Sequence, residues 1–291
     1  MTETWTIGRL IPWAAQYLAS REVAAPRLSA ELMLAEVLGC QRVDLYLRFE
    51  QPLSPEELAA FKALLLRRRG HEPLAYILGR REFWGLTLAV TPDVLIPRPE
   101  SEHLVEEGLR LLEGVEAPRV LDLCTGSGAV ALGLAHERPD ASVTASDLSP
   151  AALAVARLNA QALGLAERVR LAAGDLWEAV AATGGFYDLI TANPPYVTEA
   201  EWAGLSPEVR IFEPRSALVP GPEGLEITAR IIAGAPAHLR AMGWLLVELG
   251  AGQYPKAAEL ARQALVYDDI RAVKDLAGIE RVLACRRTDY G

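Results

Sequence analysis

Asn193, Pro194, Pro195 and Tyr196 follow directly on an apolar run, Tyr187 to Ala192, that reads as a buried strand. The two prolines stop that strand, since neither carries an N–H and each has φ fixed near one value. The corner they make is stiff, and its carbonyls find no local donor. Asn193 adds a side-chain carbonyl and an amide donor. Tyr196 adds a flat aromatic face with a polar tip. Such a corner can hold a planar NH2 group by accepting both of its hydrogens while a ring stacks on its plane. An amide or an exocyclic amine has that form. A strand end followed by a proline-rich turn, with Asn193 satisfying the turn backbone, fits the same four residues.

A second group stands earlier in the chain. Asp122-Leu123-Cys124-Thr125-Gly126-Ser127-Gly128 joins a strand to a helix. Gly126 and Gly128 permit a tight turn and close approach of a ligand, and the helix N-terminus beyond them supplies unpaired N–H groups. No Gly-Lys-Ser/Thr follows, so this is not a Walker loop, and Ala131 stands where a third glycine of G-x-G-x-x-G would be. Asp147 ends the next strand, where a carboxylate can accept from both hydroxyls of a ribose. Gly174-Asp175-Leu176 ends the third, where a carboxylate or a backbone amide could read an adenine edge. Any one of these acids could be a helix N-cap, Asp147 above all. Three at successive strand ends point instead to a ligand. A nicotinamide dinucleotide suits the glycine loop alone, but the Asn-Pro-Pro-Tyr corner does not suit hydride transfer. It suits methyl transfer to nitrogen.

The elements that must position these groups show in the periodicity. Residues 1–80 read as a helical region of four or five helices. Ile7, Leu10, Ile11, Ala14 and Leu18 keep a 3.6-residue period. Pro26 opens a second helix through Leu28, Leu32, Ala35 and Leu38, with Gly39 as its stop. Ser54-Pro55-Glu56-Glu57 is a capping-box start for a helix through Leu58, Phe61 and Leu65 to Gly70. A short helix runs from Pro73 to Leu78. Arg67-Arg68-Arg69 at a helix C-terminus reads as dipole compensation on a solvated face, with a partner-binding patch that includes Arg80 and Arg81 as the sharper alternative. Residues 81–95 read as a hairpin linker, with Trp84-Gly85 at the turn. Ile96 to Glu102 enters a helix through Leu104, Val105, Leu109 and Leu112, and from residue 119 strands and helices alternate: strands at 120–124, 142–146, 169–172, 187–192 and 244–249, helices near 129–137, 150–163, 222–239 and 255–265, then an antiparallel pair near 270–273 and 281–285. This predicts an α/β, Rossmann-like, mostly parallel sheet of seven strands, covered on both faces.

Composition narrows the class. The chain has 291 residues and a formal net charge of −9, which disfavours broad phosphate-backbone binding. Its three cysteines are far apart and its four histidines form no ligand pair, so no metal and no disulfide framework is expected and the cytoplasm is the expected compartment. No signal peptide and no membrane-spanning run is visible.

Asp-Leu-x-Thr-Gly-Ser-Gly, the acid after the second strand, Gly-Asp after the third and Asn-Pro-Pro-Tyr after the fourth resemble class I methyltransferases that use S-adenosylmethionine (AdoMet). More specific are Ala75-Tyr76-Ile77-Leu78-Gly79, Glu82-Phe83-Trp84-Gly85-Leu86, Leu95 to Glu102, Glu213 to Leu218 and Lys274 to Gly278. Together these resemble the peptide-chain release factor glutamine methyltransferases, the PrmC or HemK family, over nearly the whole chain. The resemblance implies N5-methylation of the glutamine of a Gly-Gly-Gln loop in bacterial class I release factors, with S-adenosylhomocysteine as product. It implies a monomer that touches neither nucleic acid nor membrane, with residues 1–80 recognising the substrate and 96–291 as the methyltransferase domain. AdoMet would be held by Asp122, Cys124, Thr125, Gly126, Ser127, Gly128, Asp147, Leu148, Asp175, Leu176 and Asn193. The substrate amide would be held by Asn193, Pro194, Pro195 and Tyr196, with Arg98 and Glu100 at the rim. In this picture the Asn193 side-chain oxygen and the Pro194 carbonyl accept the two amide hydrogens. Tyr196 packs on the amide plane and Pro195 keeps the corner rigid. Cys124 departs from the family, which usually has glycine there. Rival readings are a glutamine methyltransferase of a ribosomal protein, an N6-adenine methyltransferase of nucleic acid, and a non-catalytic adaptor.

Overall fold

The computed structural model describes residues 4–181 and 185–289. The chain folds as two compact units. One holds the residues up to Gly79 together with Ser206–Phe212; the other holds Arg80–Leu205 and Glu213–Gly291.

In the first unit the helices are α1 (Ile7–Ala19), α2 (Pro26–Leu38), α3 (Arg42–Leu47), α4 (Pro55–Arg69) and α5 (Leu74–Leu78). The capping box opens α4 as its sequence requires: Ser54 Oγ accepts from the Glu57 N–H and Glu57 Oε2 accepts from the Ser54 N–H, at 3.1 and 2.7 Å. The core gathers Ile7, Ile11 and Leu18 with Met33, Leu34, Phe61 and Leu65. Two expectations fail here. α2 is rotated from the predicted face: Leu28 is exposed and Leu32 and Leu38 only half-buried, while Ala30, Met33 and Leu34 are inside. The cause is Glu31, whose buried carboxylate accepts from Arg27, Arg42 and the Tyr46 hydroxyl at 2.6–2.9 Å. Three donors offset the cost of burying a charge, and they fix which way the helix faces. Arg68 is likewise not on a solvated face. It is buried, and its guanidinium donates to Ser29 Oγ, the Ala24 and Glu72 carbonyls and Glu208 Oε1.

The second unit opens with an antiparallel hairpin, β1 (Arg80–Phe83) and β2 (Leu86–Ala89). Trp84 and Gly85 both have positive φ, the pair of left-handed residues that a two-residue hairpin turn of matching twist needs. There follow α6 (Glu102–Leu111), β3 (Arg119–Leu123), α7 (Ala129–Glu137), β4 (Ser142–Asp147), α8 (Pro150–Ala162), β5 (Val169–Ala173) and β6 (Tyr187–Ala192). Next come α9 (Glu199–Trp202) and α10 (Pro207–Phe212), the latter counted with the first unit. The chain ends through α11 (Glu226–Gly234), β7 (Leu239–Glu248), α12 (Tyr254–Gln263), β8 (Tyr267–Lys274) and β9 (Glu280–Arg287). Against expectation, α11 is shorter than 222–239 at both ends: it begins only at Glu226, and a 3-10 turn, Ala235–Ala237, with Pro236 in its middle follows it.

The seven-stranded sheet has the order β5-β4-β3-β6-β7-β9-β8, parallel from β5 to β7 and antiparallel at β7–β9 and β9–β8. Along β3, Val120 packs with α6, α7 and α8 on one face, and Leu121 and Leu123 with α11 and α12 on the other. That is the period of two expected of a strand buried on both sides. From β3 the chain winds outward through β4 and β5, then returns to β6 on the other side of β3. Ligands bind at such a reversal, outside the carboxyl ends of the strands. Leu123 and Ala192 pair there, so the glycine loop and the proline corner emerge side by side.

Candidate active site

The glycine loop is pinned from below. Asp122 and Thr191 are register partners on β3 and β6, so their side chains share a face. Thr191 Oγ1 donates to Asp122 Oδ1 at 2.7 Å, and Thr125 Oγ1 donates to Oδ2 at 2.6 Å. Each carboxylate oxygen thereby takes one hydroxyl, and together they hold the loop to the sheet. Burial pushes the Asp122 carboxyl up to about 6, with Asp147's charge adding to it, while the two hydroxyls pull it back. The Thr125 N–H reaches the Ser146 carbonyl, and the Gly128 N–H closes the turn on Thr125. Gly126 has φ +56° and nothing within 4 Å of where a Cβ would stand, so the space above it is open. Gly128, at φ +86°, caps α7 against Leu132 and Ala156.

Cys124 takes a positive φ of 55°. A left-handed conformation costs a residue with a Cβ about 1–2 kcal/mol, which is a physical reason for glycine at this place. Burial, with the nearby acids Asp147, Asp122 and Asp175, raises the thiol well above its usual range and keeps it protonated. Cys124→Gly relieves the strain but adds unfolded-chain entropy of about 0.5–1 kcal/mol. The expected result is a Tm higher by about 1–3 °C, read by calorimetry or circular dichroism; an unchanged or lower Tm would show that the strain is absorbed elsewhere.

Asp147 stands above the loop. Its Oδ2 accepts from the Gly126 N–H and its Oδ1 from the Ser149 N–H, both at 2.8 Å. Each oxygen keeps a lone pair for a further donor. Burial raises its pKa and these N–H groups oppose the rise. Asp175 ends β5, with Oδ2 accepting from Arg230 of α11 at 2.8 Å. Leu176 beside it is buried and Leu148 largely exposed.

At the proline corner, Asn193 Nδ2 donates to Ser101 Oγ at 2.9 Å, and Ser101 Oγ donates to Glu248 Oε2 at 2.6 Å. Asn193 Oδ1 is buried and accepts nothing among the described residues. Pro194 is buried and Pro195 half-buried. Tyr196 is tied through its carbonyl to Gln253 Nε2 at 2.9 Å. Burial raises its hydroxyl pKa, and Glu248 adds to the rise.

A cavity of about 600 Å3 joins these parts within the second unit. Asp122, Cys124, Thr125, Gly126, Ser127, Asp147, Leu148, Asp175, Leu176, Asn193 and Pro195 line it. Gly128, Pro194, Tyr196, Arg98 and Glu100 are not in its lining. Arg98 instead pairs with the buried Glu213, whose other oxygen accepts from the Ile96 N–H at 3.1 Å. This clamp ties the Ile96-Pro97-Arg98-Pro99 segment to the segment after α10.

Three contacts that matter here escape motif reading. Asn159 of α8 donates to the Ser127 and Ala89 carbonyls and accepts from the Ala89 N–H, fixing the loop against the hairpin. Ser101 and Glu248 hold Asn193. The one sequence signal for Glu248 is a lone acid inside the apolar run Trp244 to Leu249. Among the described residues no cluster of His, Cys, Asp and Glu is suited to a metal ion, and no helix is long and apolar enough to cross a membrane.

Comparison with known proteins gives two family matches, the PrmC N-terminal domain over residues 9–79 and the methyltransferase small domain over residues 103–263. A release factor glutamine methyltransferase of Geobacter sulfurreducens is 44% identical over 284 residues, covering 98% of each chain. One of Bordetella pertussis is 49% identical over 257 residues, covering 88% of this chain and 93% of the other. Among solved structures, a 16S rRNA methyltransferase of Thermus thermophilus in complex with AdoMet and guanosine aligns with a TM-score of 0.52 at 22% identity, over 72% of this chain and 49% of that one. That last likeness is one of fold.

Proposed function

This chain belongs to the family of release factor glutamine methyltransferases, and we propose that it transfers a methyl group from AdoMet to the side-chain amide nitrogen of a glutamine in a peptide-chain release factor. The observation that carries the site assignment is the Asn193 Oδ1 atom. Of the described side chains that line the cavity, it is the one with a buried polar atom lacking a partner. A buried acceptor left vacant costs about 1–3 kcal/mol, and an amide N–H of the substrate would fill it.

The residues present fit AdoMet. The cavity lies within the ~300–1,000 Å3 of small-molecule sites. Open space above Gly126 admits a ligand against the backbone, and Asp147 retains lone pairs for ribose hydroxyls. Asp175 and Leu176 lie at the far strand end, suited to the adenine. When bound, AdoMet supplies an electrophilic methyl group on a sulfonium.

An amide nitrogen is a poor nucleophile, because its lone pair is delocalised into the carbonyl. Asn193 Oδ1 accepts one amide hydrogen; the other is assigned to the Pro194 carbonyl, which accepts no hydrogen bond among the described residues, although Pro194 itself is buried and lies outside the cavity lining. Both acceptors fix the nitrogen in line and stabilise the positive charge that develops on it. Pro195, at the cavity wall, keeps the corner from relaxing. No histidine base is needed, since the nitrogen becomes acidic only once it is methylated and its proton leaves late. The substrate class is a bacterial class I release factor presenting a Gly-Gly-Gln loop, met in the cytoplasm.

Mass spectrometry of a purified release factor, after incubation with this enzyme and AdoMet, is the direct test. One added methyl on the Gly-Gly-Gln peptide is expected; an unmodified peptide with a folded enzyme rules the substrate out. Within the site, Asp122→Asn leaves one of the two threonine hydroxyls without an acceptor, so the loop loosens. AdoMet affinity should drop about tenfold, the weight of one hydrogen bond to a charged group, as read by titration calorimetry. An unaltered affinity would mean that the loop holds its shape without Asp122.

A further inference from the structure

We infer that Ser101 and Glu248 are positioning residues that set which end of the Asn193 carboxamide faces the substrate, so that the reaction runs in one protonation state of this buried chain of three groups. The inference rests on the methyl-transfer reading above.

The two ends of a carboxamide are nearly the same size and opposite in hydrogen-bonding sense. For Asn193 to receive an amide hydrogen, its oxygen must face the substrate and its nitrogen must face away. Nothing in asparagine itself enforces this. Ser101 and Glu248 do. Both are buried, and the contacts are 2.9 Å from Asn193 Nδ2 to Ser101 Oγ and 2.6 Å from Ser101 Oγ to Glu248 Oε2. An ionised Glu248 can only accept, so the one hydroxyl hydrogen of Ser101 goes to it. Ser101 then has only lone pairs left for Asn193, and only the nitrogen end can meet them. The oxygen is thereby turned to the side where no donor from the described residues reaches it.

A proton on Glu248 reverses the chain. The carboxylic acid donates to Ser101 Oγ, the Ser101 hydrogen turns to Asn193, and the carboxamide flips to accept it. Two N–H groups then confront the NH2 of the substrate, and the nitrogen is no longer held. The groups facing Glu248 are Ser101 and Glu100 from the turn before α6, Tyr196 from the proline corner and Arg281 from β9. Burial is the largest influence and raises its pKa to about 7; Glu100 adds to the rise, while Ser101, Arg281 and Tyr196 oppose it. The ionised, productive form is therefore the majority above about pH 7 and is lost as pH falls through it.

The test uses the full-length enzyme with AdoMet and release factor, and four measurements. Wild-type kcat should fall with one ionisation near pH 7. In Glu248→Gln, which cannot ionise and still offers an acceptor to Ser101, that acid limb should disappear between pH 6 and 8. Ser101→Ala should lower kcat about tenfold, the weight of one hydrogen bond in a network with a charged group, with a much smaller change in AdoMet affinity. Ser101→Thr, which keeps the hydroxyl, should restore most of it. An acid limb that persists in Glu248→Gln, or a Ser101→Thr no better than Ser101→Ala, overturns the inference. The serine pair stands on its own if Glu248→Gln does not fold. Failure of the methyl-transfer reading is a separate result, because there the wild type would methylate nothing.

Discussion

Asn193→Ala is expected to lower kcat about 100- to 1,000-fold, with a much smaller change in AdoMet affinity. Removing one preorganised hydrogen-bond partner of a developing charge has an effect of this size, about 2.7–4 kcal/mol. Asn193 stands just past the carboxyl end of β6 with its nitrogen end committed to Ser101, so its oxygen is the part that alanine would take from the proposed reacting group. The prolines keep the backbone in place after the substitution, so the cavity survives. Single-turnover kinetics with a saturating release factor, beside calorimetry with AdoMet alone, separate the two quantities. Full turnover by Asn193→Ala would remove this residue from the mechanism.

Asp147→Ala acts at the other end of the cavity and in the opposite sense. It is expected to weaken AdoMet binding about 100- to 1,000-fold, with a much smaller change in kcat once the enzyme is saturated. In the proposed binding mode two ribose hydroxyls lose a charged acceptor, each bond worth about 1.5–3 kcal/mol. The Gly126 and Ser149 N–H groups also lose theirs, so part of the effect comes through the loop. Asp147→Asn should be nearly as harmful, because its NH2 end must face one of those two N–H donors. Calorimetry decides: binding by Asp147→Ala within threefold of the wild type would place the ribose elsewhere.

The parallel sheet was legible because strand and helix periods alternate cleanly from Val120 to Leu249, and the antiparallel pair at the chain end read equally well. The glycine loop and the Asn-Pro-Pro-Tyr corner were legible as strand ends because glycine and proline act on the backbone locally. What stayed hidden depends on partners far away in sequence. Ser101 meets Glu248 across 147 positions and Asn193 meets Ser101 across 92, and no local pattern announces either contact. The face of α2 was misread for the same reason: apolar spacing favoured Leu28 and Leu32, while Glu31 with its three donors turned the helix the other way. Arg68 looked like a surface charge because the four acceptors that bury it come from three other segments. Cys124 carried a clue of another kind, since its departure from glycine gains meaning only with the positive φ seen in the fold.

The seven residues Ser206–Phe212 lie far along the chain from Gly79, yet they complete the helical unit and give the buried Arg68 its carboxylate, Glu208. The polypeptide is therefore stitched rather than strung: its thread leaves the first unit at Gly79, comes back for two helical turns, and departs again. A single cut at residue 80 would leave the amino-terminal piece with Arg68 parted from its carboxylate, which stays on the other fragment.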